Sequence, residues 1–188
     1  MTTILAVDVD GIRYLACDSR LVENDNIILT GKGKIVQIAP DLYVGYAGST
    51  SLLRGLLDAK NNLPVLVTED QDCDMNRIIA LADMVVESVY EACSMICITP
   101  YSIYSIDYTE ARGKSLMAEV VPIKELCSAG SGNEAAMAAW LAITKCMRMP
   151  VKPYDVLKLI NIVFESVHEV DTNTGGETHT VSLVSLME

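Results

Sequence analysis

The chain has 188 residues, a length that suits one domain spanning 1–188 around a sizeable core. Its 14 basic residues against 25 acidic ones give a formal charge of −11, and Lys32 with Lys34 is the nearest approach to a basic cluster, which excludes nucleic acid as an expected partner. Hydrophobic residues make up 51%, yet no apolar run reaches the roughly 18 residues of a membrane span, so the excess is assigned to subunit interfaces rather than to lipid.

In chain order, "TTILAVDV" alternates as a strand and meets Asp10-Gly11, a strong short hairpin signal. "IRYLACDS" returns as the second strand. "KIVQIAPDLYVGYAGS" is a further strand pair turning at Ala39-Pro40-Asp41. Ser49 is placed to cap a helix over 50–62, where Leu52, Leu53, Leu56 and Leu57 share a face. "DMNRIIALADMVVESVYEAC" predicts a longer helix over 74–93. A β-rich stretch follows over 94–122, with a turn at Arg112-Gly113, and "ELCSAGSG" leads into an Ala-rich helix over 133–147. A helix over 154–170, a loop "DTNTGGE" and a strand "THTVSLVSL" complete the order.

Strands, two helices, strands, two helices and a last strand thus come in blocks. Blocks joined by short hairpins predict antiparallel sheets with segregated helices rather than alternating βαβ units. The expected class is α+β, with two sheets face to face and a helix layer outside each.

No secretory leader precedes the first strand, which points to a cytoplasmic protein. The six cysteines form no CxxC pair and have no histidines at zinc spacing; most sit in apolar runs and are expected to be reduced core residues, and no metal is expected. "AGSGNEA" lacks the third glycine of a dinucleotide fingerprint and no P-loop lysine occurs, so no cofactor is expected.

The chemistry starts at Thr2. If Met1 is removed, the terminal threonine owns both a hydroxyl nucleophile and an α-amine base, whose reference pKa of roughly 7.7–8.0 lies close to neutrality. A nearby positive charge lowers that value further. Such a site calls for a buried lysine, a carboxylate that keeps the lysine charged, and a backbone N–H for the oxyanion. Asp18, Lys34 and Gly48 sit at strand ends and are candidates for these parts. Each also has an ordinary reading: a turn residue, a solvated charge, a helix-entry glycine.

Together they carry a resemblance. "TTI" at the start, "CDSR" at 17–20, "GKGK" at 31–34, "GYAGS" at 45–49, "AGSG" at 129–132 and "DTNTGG" at 171–176 resemble proteasome β-type subunits, and among them HslV and its relatives. The resemblance spans nearly the whole chain. It implies the four-layer αββα sandwich of N-terminal nucleophile hydrolases and a threonine-type endopeptidase that cleaves peptide or unfolded-protein substrates through an acyl-enzyme on Thr2. It implies Asp18 and Lys34 as the charged pair and Gly48 as the oxyanion donor. Ser131, Asp171 and Thr174 match the group around the terminal amine, with threonine at 174 where serine is common. Leu21, Lys32, Val36, Tyr46, Thr50 and Arg54 match substrate-pocket positions, although the charged ones could equally face solvent or a neighbouring subunit. The family also implies a homo-oligomeric ring, with an ATPase unfoldase or an outer ring as a possible partner.

Two rival readings remain: another amide hydrolase on the same fold, and a non-catalytic ring or scaffold subunit. His168 and His179 could belong to a serine-histidine-aspartate site only if one lay between a hydroxyl and a carboxylate.

Overall fold

The computed structural model describes residues 2–23, 26–29, 33–48, 50–63, 70–110, 116–146 and 150–186. The expected cap at Ser49 and the turn at Arg112-Gly113 lie outside these residues. The chain runs β1 (Thr3–Val9), β2 (Ile12–Asp18), β3 (Arg20–Glu23), β4 (Asn26–Leu29), β5 (Ile35–Ala39), β6 (Leu42–Ala47), α1 (Thr50–Asn62) and α2 (Gln71–Val86). It continues with β7 (Cys93–Ile98), β8 (Ile103–Glu110), β9 (Leu116–Ile123), β10 (Leu126–Gly130), α3 (Asn133–Cys146), α4 (Pro153–Val170) and β11 (Thr178–Val184).

Two antiparallel sheets carry the fold, ordered β10-β1-β2-β11 and β5-β6-β7-β8-β9, with β3-β4 as a separate hairpin. The β1–β2 turn is the expected one: Asp10 and Gly11 both take positive φ, 50° and 75°, as a two-residue hairpin with right-handed strand twist requires. The turn between β5 and β6 likewise falls at Pro40-Asp41.

Three separate cores mark the layers. Leu52 and Leu56 of α1 and Ile78 and Leu81 of α2 pack on Val44 and Tyr104 of the second sheet. Trp140 of α3 and Ile160 and Phe164 of α4 pack on Leu5, Val7 and Ala16 of the first. Between the sheets, Ile4, Ala6 and Leu15 meet Ile96, Ile98 and Ile103. The layers are therefore helix, sheet, sheet, helix, an α+β sandwich. β1 is buried on both faces, which is why Ile4 and Leu5, adjacent in sequence, belong to different cores.

Two expectations shift. The second helix begins earlier and ends earlier than its apolar pattern suggested. Asp70 caps it by accepting from the Cys73 amide at 2.8 Å, and it stops at Val86 because Cys93 is needed by β7, opposite Tyr108. The β3–β4 hairpin was not foreseen; its polar connection masks two four-residue strands.

Candidate active site

Thr2 lies just ahead of β1 and is 4% exposed. Its carbonyl accepts from the Ser131 amide at 2.9 Å. The next residue, Thr3, pairs in register with Gly130 of β10. The head of β1 is thus held inside the sheet, between β10 and β2.

Asp18 ends β2 and is completely buried. A buried carboxylate is costly unless its lone pairs are filled. Here Oδ1 accepts from the Thr3 amide at 2.8 Å, and Oδ2 from the amides of Arg20 at 3.1 Å and Gly175 at 3.3 Å. Lys34 Nζ lies 3.2 Å from both oxygens. The lysine, just ahead of β5, also donates to the Arg20 carbonyl, and its own carbonyl accepts from the Tyr46 amide at 3.1 Å. Burial lowers the Lys34 pKa, and the Asp18 charge opposes that fall. Beneath the pair, the Lys34 amide donates to Cys17 Sγ at 3.1 Å; burial pushes that thiol up to about 12, so it stays neutral.

A second group stands on the other side of Thr3. Ser131 Oγ donates to Asp171 Oδ2 at 2.5 Å, and Thr174 Oγ1 donates to the same oxygen at 2.8 Å. The Asn173 amide reaches Asp171 Oδ1 at 3.0 Å. Burial alone would raise the Asp171 pKa, but these bonds from Ser131, Asn173 and Thr174 outweigh it and hold the carboxyl below its ordinary value. Thr3 Oγ1 and Thr174 Oγ1 are 2.6 Å apart, so Thr3 joins the two groups: its amide serves Asp18 and its hydroxyl serves Thr174.

Gly48 follows β6 with φ of +123°, and a Cβ there would lie 2.6 Å from Cys93 Cβ. Both the backbone angle and the close approach demand glycine. Gly48, Thr2 and Ser131 line one cavity of about 490 Å³, which also touches Ser94, Ser105 and Asp107. The seven residues expected to carry chemistry therefore gather around the head of β1 and this cavity.

The expected substrate-pocket set behaves differently. Val36 and Tyr46 point to the other face of their sheet and pack against the core under α1 and α2. Arg54 is exposed on α1. None of the three lines the Thr2 cavity. Lys32, and the side chains of Leu21 and Thr50, lie outside the described residues.

Sequence reasoning assigned no role to Thr3, Arg20, Gly130 or Gly175. All four fall inside the motifs quoted above, which was the available signal. Arg20 Nη1 donates to the Thr172 carbonyl at 2.7 Å, and a Cβ at Gly175 would collide with the guanidinium, so the 171–176 loop is moulded onto Arg20.

Among the described residues neither His168 Nε2 nor His179 Nε2 has a hydrogen-bond partner, and His168 lies edge-on to Phe164 with burial lowering its pKa. Neither histidine bridges a hydroxyl and a carboxylate. Among the described residues no group of histidines, cysteines and carboxylates could hold a metal ion, and no helix is long and apolar enough to cross a membrane.

No protein-family model matches the chain, and no curated protein matches its sequence. Solved structures do resemble it. Thiobacillus denitrificans BPH in complex with epoxomicin superposes with a TM-score of 0.74 at 16% identity, covering 97% of this chain and 98% of that one. Thiobacillus denitrificans BPH alone gives 0.72 at 16% identity over 97% of each chain. Eukaryotic HslV from Trypanosoma brucei gives 0.70 at 20% identity, over 97% of this chain and 99% of its own. The chain has the fold that BPH and HslV share.

Proposed function

We propose that the protein is a threonine-type endopeptidase of the proteasome β/HslV type, with Thr2 as nucleophile after removal of Met1. The observation that carries this reading is the buried Lys34–Asp18 pair, tied to the head of β1 by the Thr3 amide. A buried ion pair contributes little net stability, so a chemical role is its better explanation.

In the proposed reaction the Thr2 hydroxyl oxygen attacks the scissile carbonyl carbon, and its proton passes to the Thr2 α-amine. The carbonyl π electrons move to oxygen, and the oxyanion accepts from the Gly48 N–H. Collapse breaks the C–N bond; the leaving amine takes the proton back from the α-ammonium and an ester on Thr2 remains. Water then attacks the ester and gives its proton to the same amine; the ester C–O bond breaks, the Thr2 oxygen takes that proton from the α-ammonium, and the acid is released with the hydroxyl and neutral amine restored. The Lys34 charge disfavours the ammonium form of Thr2, which keeps the amine a base at neutral pH. Ser131, Asp171 and Thr174 fix the position of that amine through the Ser131 contact to the Thr2 carbonyl.

With this activity go a homo-oligomeric ring, closed symmetry being the usual way to bury a large apolar surface, and a cytoplasmic location. An ATPase unfoldase or outer ring would supply unfolded-protein substrate. Epoxomicin, the ligand carried by the Thiobacillus denitrificans structure, is the natural probe. Intact-mass measurement should show a chain beginning at Thr2 and one epoxomicin adduct per subunit, absent in Thr2→Ala. Full peptidase activity in protein that retains Met1 on every subunit would overturn the reading.

A further inference from the structure

The space between the two sheets changes character along its length. Successive residues of a strand point to opposite faces, so Ile103, Ser105 and Asp107 of β8 share one face while Tyr104, Ile106 and Tyr108 share the other. Ile103 is fully buried in the inter-sheet core. Two and four residues further on, the same face presents Ser105 and Asp107 to the cavity that Thr2 and Gly48 line. Apolar packing gives way to a polar cleft.

Among the described residues Asp107 is the only charged side chain lining that cavity. It is half-buried and sits directly opposite Ser94 of β7. Its Oδ1 accepts from Ser94 Oγ at 2.6 Å and its Oδ2 from Ser105 Oγ at 3.4 Å, the second bond being weak. A carboxylate offers roughly four lone-pair sites, so both oxygens retain accepting capacity. Among the described residues no cation pairs with Asp107. On its other side β9 places Glu119 directly opposite, a second carboxylate on the same face. Two like charges paired across strands are mildly destabilising unless a cation answers them.

We propose that Asp107 is a specificity-determining residue, giving the Thr2 cleft a preference for peptides that carry a lysine or arginine side chain near the scissile bond. As a statement about substrate this rests on the peptidase reading. The chemistry is that of a charge-assisted hydrogen bond in a partly desolvated cleft, with the aliphatic stem of the cation lying along Ala47 and Ala129 on the cavity wall. A volume of about 490 Å³ accommodates such a side chain together with the flanking backbone.

The test uses the assembled protein and pairs of short capped peptides that differ only by lysine against norleucine at one position, scanned on both sides of the cleaved bond. Affinity is read by fluorescence anisotropy and turnover by fluorogenic release. The lysine peptide should be favoured about tenfold at its best position at low salt, a preference that weakens as salt is raised. Asp107→Asn keeps the shape and should bring the ratio to about one, with the norleucine peptide little affected; Asp107→Glu should retain the lysine preference. Equal affinity for the two peptides in the native protein, or an unchanged ratio in Asp107→Asn, overturns the proposal. Absence of an epoxomicin adduct on Thr2 with the lysine preference in binding intact would remove the peptidase reading and leave the cationic cleft standing.

Discussion

Gly130 and Thr2 approach so closely that a Cβ on the glycine would lie 1.8 Å from the Thr2 carbonyl oxygen. Gly130 also has φ of +92°, so an alanine there would be strained and would collide with backbone at once. Gly130→Ala should therefore displace the head of β1. The expected result is loss of Thr2 labelling together with a stability loss of at least about 1–3 kcal/mol from backbone strain. Gly11→Ala is the control: its φ is +75°, but the nearest side chain is 3.8 Å away. It should cost stability yet leave Thr2 reactive. Labelling that survives in Gly130→Ala would show that the close approach is not needed for the site.

Lys34→Met should abolish turnover. It also leaves Asp18 buried without its cation, a change that costs about 3–5 kcal/mol in comparable pairs. The pH profile separates charge from packing. Burial lowers the Lys34 pKa from 10.5 and Asp18 opposes the shift, so activity should fall on the alkaline side before pH 10.5 as Lys34 loses its proton. Asp18→Asn removes the opposing charge and should move that alkaline limb to lower pH, with reduced turnover throughout. An alkaline limb left in place by Asp18→Asn would contradict the assignment of that limb to Lys34.

Asp171 has a folded-state pKa held below 3.8 by three donors despite its burial. A depressed carboxyl contributes stability above its unfolded value and loses it as pH falls through its folded value. Urea midpoints should therefore drop on acidification below about pH 3.8, and Asp171→Asn should blunt that dependence. At neutral pH the same substitution weakens bonds to a charged acceptor, each worth about 1.5–3 kcal/mol.

Thr174 is completely buried, with its hydroxyl held between Thr3 and Asp171. Thr174→Val should cost about 1–3 kcal/mol, because two polar partners lose a bond in a closed site. Thr174→Ser keeps the oxygen and should recover most of both stability and Thr2 labelling. A Thr174→Val variant as stable as the native protein beside a destabilised Thr174→Ser would show that the methyl group, not the hydroxyl, is what the site uses.

Local signals carried much of the fold in sequence. Asp10-Gly11 and Pro40-Asp41 are turn chemistry, readable within four residues, and the apolar faces of α1 and α4 repeat at helical spacing. Where local and tertiary demands diverge, the reading slips: Cys93 extends the pattern of α2 but is claimed by β7 opposite Tyr108. The site divides in the same way. Asp18 and Lys34 could be named from motifs at strand ends, and they do form an ion pair at 3.2 Å. Thr3 could not, because its meaning comes from Thr174, 171 positions away. Asp107 was equally silent, since only the cross-strand register brings it to the cavity of Thr2.

The first sheet takes β1 and β2 from early in the chain and β10 and β11 from late in it. Asp18 is therefore flanked by Thr3 on one side and by Thr178 on the other, with Gly175 delivering one of its donors. A nascent chain that has emerged only through β9 already holds Thr2, Asp18, Lys34 and Gly48. It still lacks Ser131, Asp171 and Thr174, and β1 has no β10 to pair with. Domains acquire their structure in the order the ribosome releases them, but this sheet cannot close until β11 is out. Under the proposed peptidase reading that order is a safety catch: a half-made subunit has no finished site to turn on its neighbours at the ribosome.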